Sequence, residues 1–153
     1  SHLSGYTSFS LDITELCEPN GHNVIAVRCD ARDFELWSYE GGGIYREVRL
    51  VATDAVHVPY SGTCVRSYFL EENDFSQAGA DCSALIENAG GDAVEVVVAF
   101  KVFEGDTDAL VAHCSNAVEI ESGERVIVDD QLLIKNPQLW GVKTPHLYRL
   151  ETE

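Results

Sequence analysis

Apolar and polar residues alternate with a period of two along most of the chain, the pattern of strands that bury one face. The clearest run spans Ala93 to Phe103. Val94, Val96, Val98, Phe100 and Val102 share one face there, while Glu95 and Lys101 lie on the other. Turn chemistry brackets this run, with Gly90-Gly91-Asp92 before it and Gly105-Asp106 after it. The same alternation predicts strands at Phe9–Ile13, Asn23–Cys29, Ile44–Ala52, Val56–Val58, Thr63–Leu70, Cys82–Asn88, Leu110–Cys114, Val118–Ile120, Arg125–Ile134 and Leu147–Thr152. The best helix candidate, Asp12 to Glu18, is one or two turns at most and is ended by Pro19.

Short strands at intervals of roughly 8–12 residues define an all-β sandwich or barrel. The chain divides near Thr53-Asp54. About seven strands then fill roughly 100 residues, the size of an immunoglobulin-like β-sandwich. The Cys, Trp, Cys spacing of antibody domains is missing, so the expectation concerns architecture alone. Three strands precede the division. Three strands bury little and leave unpaired edges, so residues 1–52 read as the tail of a larger β-domain.

Charge narrows the partners. Ten Lys and Arg stand against 26 Asp and Glu, a formal net charge of −16 over 153 residues. Phosphate binding needs clustered cations, so neither nucleic acid nor an anionic membrane is an expected partner. No apolar run approaches the ~18 residues of a membrane helix, and no charged and apolar leader opens the chain. The start, Ser1-His2-Leu3-Ser4-Gly5, reads as a cut within a longer protein.

Five cysteines, Cys17, Cys29, Cys64, Cys82 and Cys114, are widely spaced and form no C-x-x-C pair, so a zinc site is not expected. Cys82 and Cys114 lie in alternating apolar runs and read as core thiols, with a disulfide as the alternative. Reduced thiols favour a cytoplasmic setting.

Catalytic arrangements were sought in turn. A glycosidase needs two carboxylates facing each other across the sugar, yet Glu71-Glu72, Asp106, Asp108 and Asp129-Asp130 fall in turns or on polar strand faces and read as solvated. Calcium at Asp106 and Asp108 is the alternative there, without the spacing of a known calcium loop. His2, His22, His57, His113 and His146 include no metal-pair spacing, and no G-x-S-x-G elbow supplies a nucleophile. A strand rather than a helix is expected after Gly41-Gly42-Gly43, which argues against a phosphate loop. No catalytic residue, metal or cofactor is therefore expected.

Two stretches are more specific. His2 through Thr14 (HLSGYTSFSLDIT) is followed by Gly21-x-Asn23-Val24-Ile25-Ala26-Val27-Arg28, Trp37 and Gly42-Gly43-Ile44-Tyr45-Arg46-Glu47-Val48. This resembles the second half of the N-terminal jelly-roll (galactose-binding-like) domain of family 2 glycoside hydrolases, the β-galactosidase and β-glucuronidase family. Asn136-Pro137-Gln138-Leu139-Trp140, followed by Pro145-His146-Leu147-Tyr148-Arg149-Leu150, looks like the closing strands of that family's immunoglobulin-like sandwich. Order and spacing agree from residue 2 to residue 150. The resemblance implies 1–52 as the C-terminal part of a jelly-roll and 53–153 as the sandwich. It also implies that the catalytic glutamates lie on a (β/α)₈ barrel outside this chain. The chain then reads as a non-catalytic accessory fragment of a bacterial β-glycosidase, with β-galactosidase as the first choice. Its implied partners are the barrel, the remaining jelly-roll, the parent's carbohydrate substrate and further copies in a homo-oligomer.

In some members an acidic residue two positions before the Trp of this loop helps bind sugar and a monovalent cation. The matching position is Glu35, where this sequence has Glu in place of Asp and a longer loop to the glycines. Trp37 offers an aromatic face suited to the C–H face of a pyranose, with interdomain packing as its rival role. Glu35 and Trp37 are thus the substrate-binding candidates. Arg46 is expected to pair with a neighbouring acid, and Trp140 to cover the end of the sandwich core. A free-standing carbohydrate-binding module using Trp37, Tyr39 and Tyr45 is the competing reading, followed by an adhesion-type sandwich. The three-strand start further predicts exposed apolar surface around Phe9, Val24, Ile44 and Val48, with self-association or partial disorder.

Overall fold

A computed structural model describes residues 2, 5–30, 42–72, 74–105 and 107–153. The chain forms two compact units, Ser1–Val51 and Ala52–Glu153. All regular pairing among the described residues lies in the second unit, and it is entirely β.

Among the described residues of the first unit the alternating segments form no ladder, which corrects the three strands expected there. A strand is held by hydrogen bonds to a neighbouring strand, so alternation alone sets direction but not pairing. The apolar positions remain outside, with Val24 79% and Val48 76% exposed. Phe9 and Ile44 are exposed as well, as the sequence reading predicted. The helix candidate shrinks to one 3₁₀ turn, Thr14–Leu16. Asp12 Oδ1 accepts from the Thr14 N–H at 2.9 Å and starts this turn. Cys17 is already extended (ψ 135°), since the residues leading into Pro19 are pushed out of the helical region. Asn23 closes the following turn, accepting from the Glu18 N–H and donating to its carbonyl, both at 2.9 Å.

The second unit is a two-sheet sandwich. Strands β1 (Val56–His57), β2 (Thr63–Glu71), β3 (Asp74–Asn88) and β6 (Arg125–Lys135) form one sheet, with β3 between β6 on one edge and β1 and β2 on the other. Strands β5 (Leu110–Ile120), β4 (Val94–Glu104) and β9 (Tyr148–Thr152) form the other, in that order. A small hairpin, β7 (Trp140–Gly141) with β8 (Thr144–Pro145), precedes β9. Every pairing is antiparallel.

Even-numbered positions of β3, β4 and β6 point inward, which places Ala80, Cys82 and Ala84 in one core with Phe100, Val102, Val128 and Leu132. Small side chains on β3 leave room for Phe100, which is 0% exposed. The expected face of β4 is therefore the buried one.

Three differences from the alternation reading have local causes. β3 starts eight residues earlier than expected, because Ser76, Gln77 and Gly79 break the apolar signal without breaking the ladder to β6. The segments 110–114 and 118–120 join through Ser115 and Asn116, which pair in register with Ala99 and Val98 of the continuous β4. Trp140 is 63% exposed in its hairpin and does not cover the core end. Its register partner is Pro145, and a two-residue strand pair is too short to fold the indole inward.

Two polar residues fix how the sheets connect. Asn88 is 0% exposed at the end of β3. Its side chain donates to the carbonyls of Asp92 (2.9 Å) and Ile120 (3.1 Å) and accepts from the Gly90 N–H (2.9 Å). Its backbone bonds Glu124 and Gly123, so one residue ties the β3–β4 turn to the β5–β6 turn. At the other end the Tyr148 hydroxyl accepts from the Gln138 N–H at 2.8 Å. That bond, from the start of a late strand back to an upstream backbone group, has the chemistry of the tyrosine corner of immunoglobulin-like sandwiches.

Candidate functional site

Glu35, Trp37 and Tyr39 lie outside the described residues. So does Asp106. Nearby, Gly43 adopts φ +122°, a conformation open to glycine and rarely to other residues, which agrees with a tight turn at the glycines. Glu47 pairs with Arg49, while the Arg46 guanidinium lies 5.4 Å from the Tyr45 ring centroid. Among the described residues the Arg46 cation meets the ring of its chain neighbour Tyr45 and no acid.

Polar groups of the sandwich gather in three places. The first lies between the sheets. Asp130, expected to be solvated, points inward from β6 because it falls on the even, core-facing positions. It accepts from Asn116 Nδ2 on β5 at 2.9 Å and from the Gln131 N–H at 2.6 Å. The Cys114 thiol also donates to it, and this bond is the main reason the Asp130 carboxyl sits below the ordinary aspartate value of 3.8. Burial first, and the Asp130 charge after it, push the Cys114 thiol up to about 11. Cys82 is raised for the same reasons, burial leading. Such thiols stay protonated near neutral pH and are neither nucleophiles nor metal ligands. All five cysteines are free, so the disulfide alternative does not hold in this structure.

The Asp130 clasp makes stability pH-dependent with a definite sign. Its folded pKa lies below the unfolded one, so its contribution is present above the ordinary aspartate range and is lost as pH falls through the folded value. Asp130→Asn is expected to lower stability near neutral pH by about 1–2 kcal/mol. It should also flatten the loss of stability below about pH 4. Urea midpoints measured against pH for both proteins check this, and identical pH profiles would contradict it.

The second cluster surrounds Arg149 on the outer face of the β5–β4–β9 sheet. Its guanidinium lies 4.6 Å from the Phe103 centroid and 3.6 Å from Asp108, and it also pairs with Glu151. Asp108 thus faces a cation of its own chain. Among the described residues no group of three or more His, Cys, Asp or Glu side chains is placed to hold a metal.

The third lies on the outer face of the β2–β3–β6 sheet. Tyr68, Gly79 and Leu133 occupy one register row, with Arg66, Asp81 and Gln131 in the next. Sequence reasoning missed this group. Its only signal was an isolated glycine in a strand, which marks the close approach of another group.

The first two clusters do positional work, joining the two sheets and tying Asp108 to a strand. They belong to an immunoglobulin-like β-sandwich. Residues 65–153 match the family model for glycosyl hydrolases family 2, and the chain belongs to that family. It is 36% identical over 151 residues to a β-galactosidase of Bacteroides ovatus, covering 97% of this chain and 17% of that protein. A β-glucuronidase of Formosa agariphila is 30% identical over 166 residues, covering 96% of this chain and again 17% of the relative. Among solved structures, a family 2 β-glucuronidase superposes with a TM-score of 0.57 at 27% identity, over 65% of this chain and 11% of that one. The chain therefore spans about one-sixth of the curated relatives it matches.

Proposed function

We propose that this chain is a non-catalytic accessory portion of a family 2 glycoside hydrolase that cleaves terminal β-galactosides. In this reading residues 1–52 are the C-terminal part of a jelly-roll domain and residues 53–153 the sandwich, while the catalytic glutamates belong to a barrel elsewhere in the polypeptide. One observation carries the reading. The family match over residues 65–153 falls on the folded sandwich, where Asp130 is held by Asn116 and Arg149 by Asp108. The exposed apolar positions of residues 5–30 and 42–51 support the jelly-roll assignment, because they suit a segment that pairs with strands outside it. Glu35 and Trp37 would then lie toward the sugar, and the parent enzyme would assemble as a homo-oligomer. Among the described residues, no helix is long and apolar enough to cross a membrane.

The test is an assay of the purified chain on chromogenic β-galactoside and β-glucuronide. The expected result is no turnover above buffer, with activity restored only when the segment is part of an intact family 2 enzyme. Turnover by the chain alone would overturn the proposal.

A further inference from the structure

The Tyr68 ring lies across the sheet instead of standing on it. A Cβ built on Gly79 would come within 2.4 Å of Tyr68 Cζ and 2.7 Å of its hydroxyl oxygen, so one ring face rests on bare glycine backbone. The side chain is nevertheless 37% exposed, which leaves the other face open. Successive rows on one face are two residues, or about 7 Å, apart along the strands, so the neighbouring row sets polar groups beside that ring at roughly the width of a sugar. Gln131 Nε2 donates to Asp81 Oδ1 at 3.0 Å, which holds the carboxylate in place. Partial burial and the Asp81 carboxylate beside it raise the Tyr68 phenol above its ordinary value, so the phenol stays neutral. A flat aromatic face, an oriented carboxylate, a primary amide and the Arg66 guanidinium thus share one side of one sheet.

We infer that this face is a saccharide subsite for a neutral β-galactoside. The C–H face of the pyranose stacks on Tyr68, and its hydroxyls donate to Asp81, exchange hydrogen bonds with the Gln131 amide and accept from Arg66. Asp81 offsets the Arg66 cation within its row, so the net charge of −16 disfavours a uronic acid. The choice of a sugar as ligand rests on the family membership, and the open, shallow site places affinity in the millimolar range.

Amide NMR of the full chain titrated with methyl β-galactoside tests this. The amides of Tyr68, Gly79, Asp81 and Gln131 are expected to shift together and saturably. Methyl β-glucuronide should bind roughly tenfold more weakly. Tyr68→Ala should abolish the shifts, and Gln131→Ala, which leaves the ring on Gly79, should weaken them several-fold. The second variant decides the matter if the first fails to fold. Unmoved amides, shifts unchanged in Gln131→Ala, or a preference for the glucuronide would each overturn the subsite. None of these outcomes bears on the hydrolysis assay, so the accessory reading is tested separately.

Discussion

Phe100→Ala is expected to destabilise the sandwich by about 3–5 kcal/mol, through lost transfer free energy and the cavity left behind. The side chain is 0% exposed and shares its core with Ala80, Cys82 and Ala84, none of which is long enough to fill the gap. In a unit of this size the change corresponds to a fall in melting temperature of roughly 15 °C. Val97→Ala, one strand face away and 64% exposed, should change stability by less than about 0.5 kcal/mol. Urea midpoints of the two variants provide the check. Similar midpoints would mean that the buried face of β4 has been wrongly assigned.

The second large effect is expected at Asn88. Asn88→Ala removes three side-chain hydrogen bonds, leaving the carbonyls of Asp92 and Ile120 and the N–H of Gly90 without that partner. Two of these bonds leave the strand for different turns, so the loss is expected at about 2–4 kcal/mol. Asn88→Asp should be nearly as costly, because it replaces the donating amide with a carboxylate facing two carbonyls. Hydrogen exchange distinguishes this residue from a simple core position. Amides of residues 90–94 and 120–124 should lose protection before those of the central strands. Uniform loss across the sandwich would show that Asn88 does not act through the turns.

How much of this was legible in the sequence differs between the two units. In the sandwich the period-two pattern was sufficient for β3, β4 and β6, whose apolar faces are buried, while β2 stays exposed along its length. Val94 through Val102 pack as their alternation predicts. The edges of elements were less legible. Gly79 hid the first half of β3, and the polar pair Ser115-Asn116 made one strand read as two. In both places cross-strand partners supply what the local sequence does not. Asp130 was misplaced for a related reason: a carboxylate on a core-facing position is tolerated only because Cys114 and Asn116 reach it from the other sheet. No local pattern records such a partner.

Among the described residues of the first unit alternation was present and paired strands were not. Ile25 and Val27, and Val48 and Leu50, have the right spacing but remain exposed, so period two there marks a capacity for pairing. The functional candidates fared likewise. Glu35 and Trp37 came from family resemblance and keep that standing, while Tyr68, Asp81 and Gln131 became visible only once register placed residues 50 apart beside one another.

Apolar side chains in residues 5–30 and 42–51 are exposed, and among the described residues β9 pairs with β4 alone.

Reading the coding sequence on both sides of this segment tests the central claim most directly. The account predicts upstream strands that complete a jelly-roll and a downstream barrel carrying two catalytic glutamates. Stop codons close to both ends would contradict it and leave a self-contained sandwich, with sugar binding at Tyr68 as its leading activity.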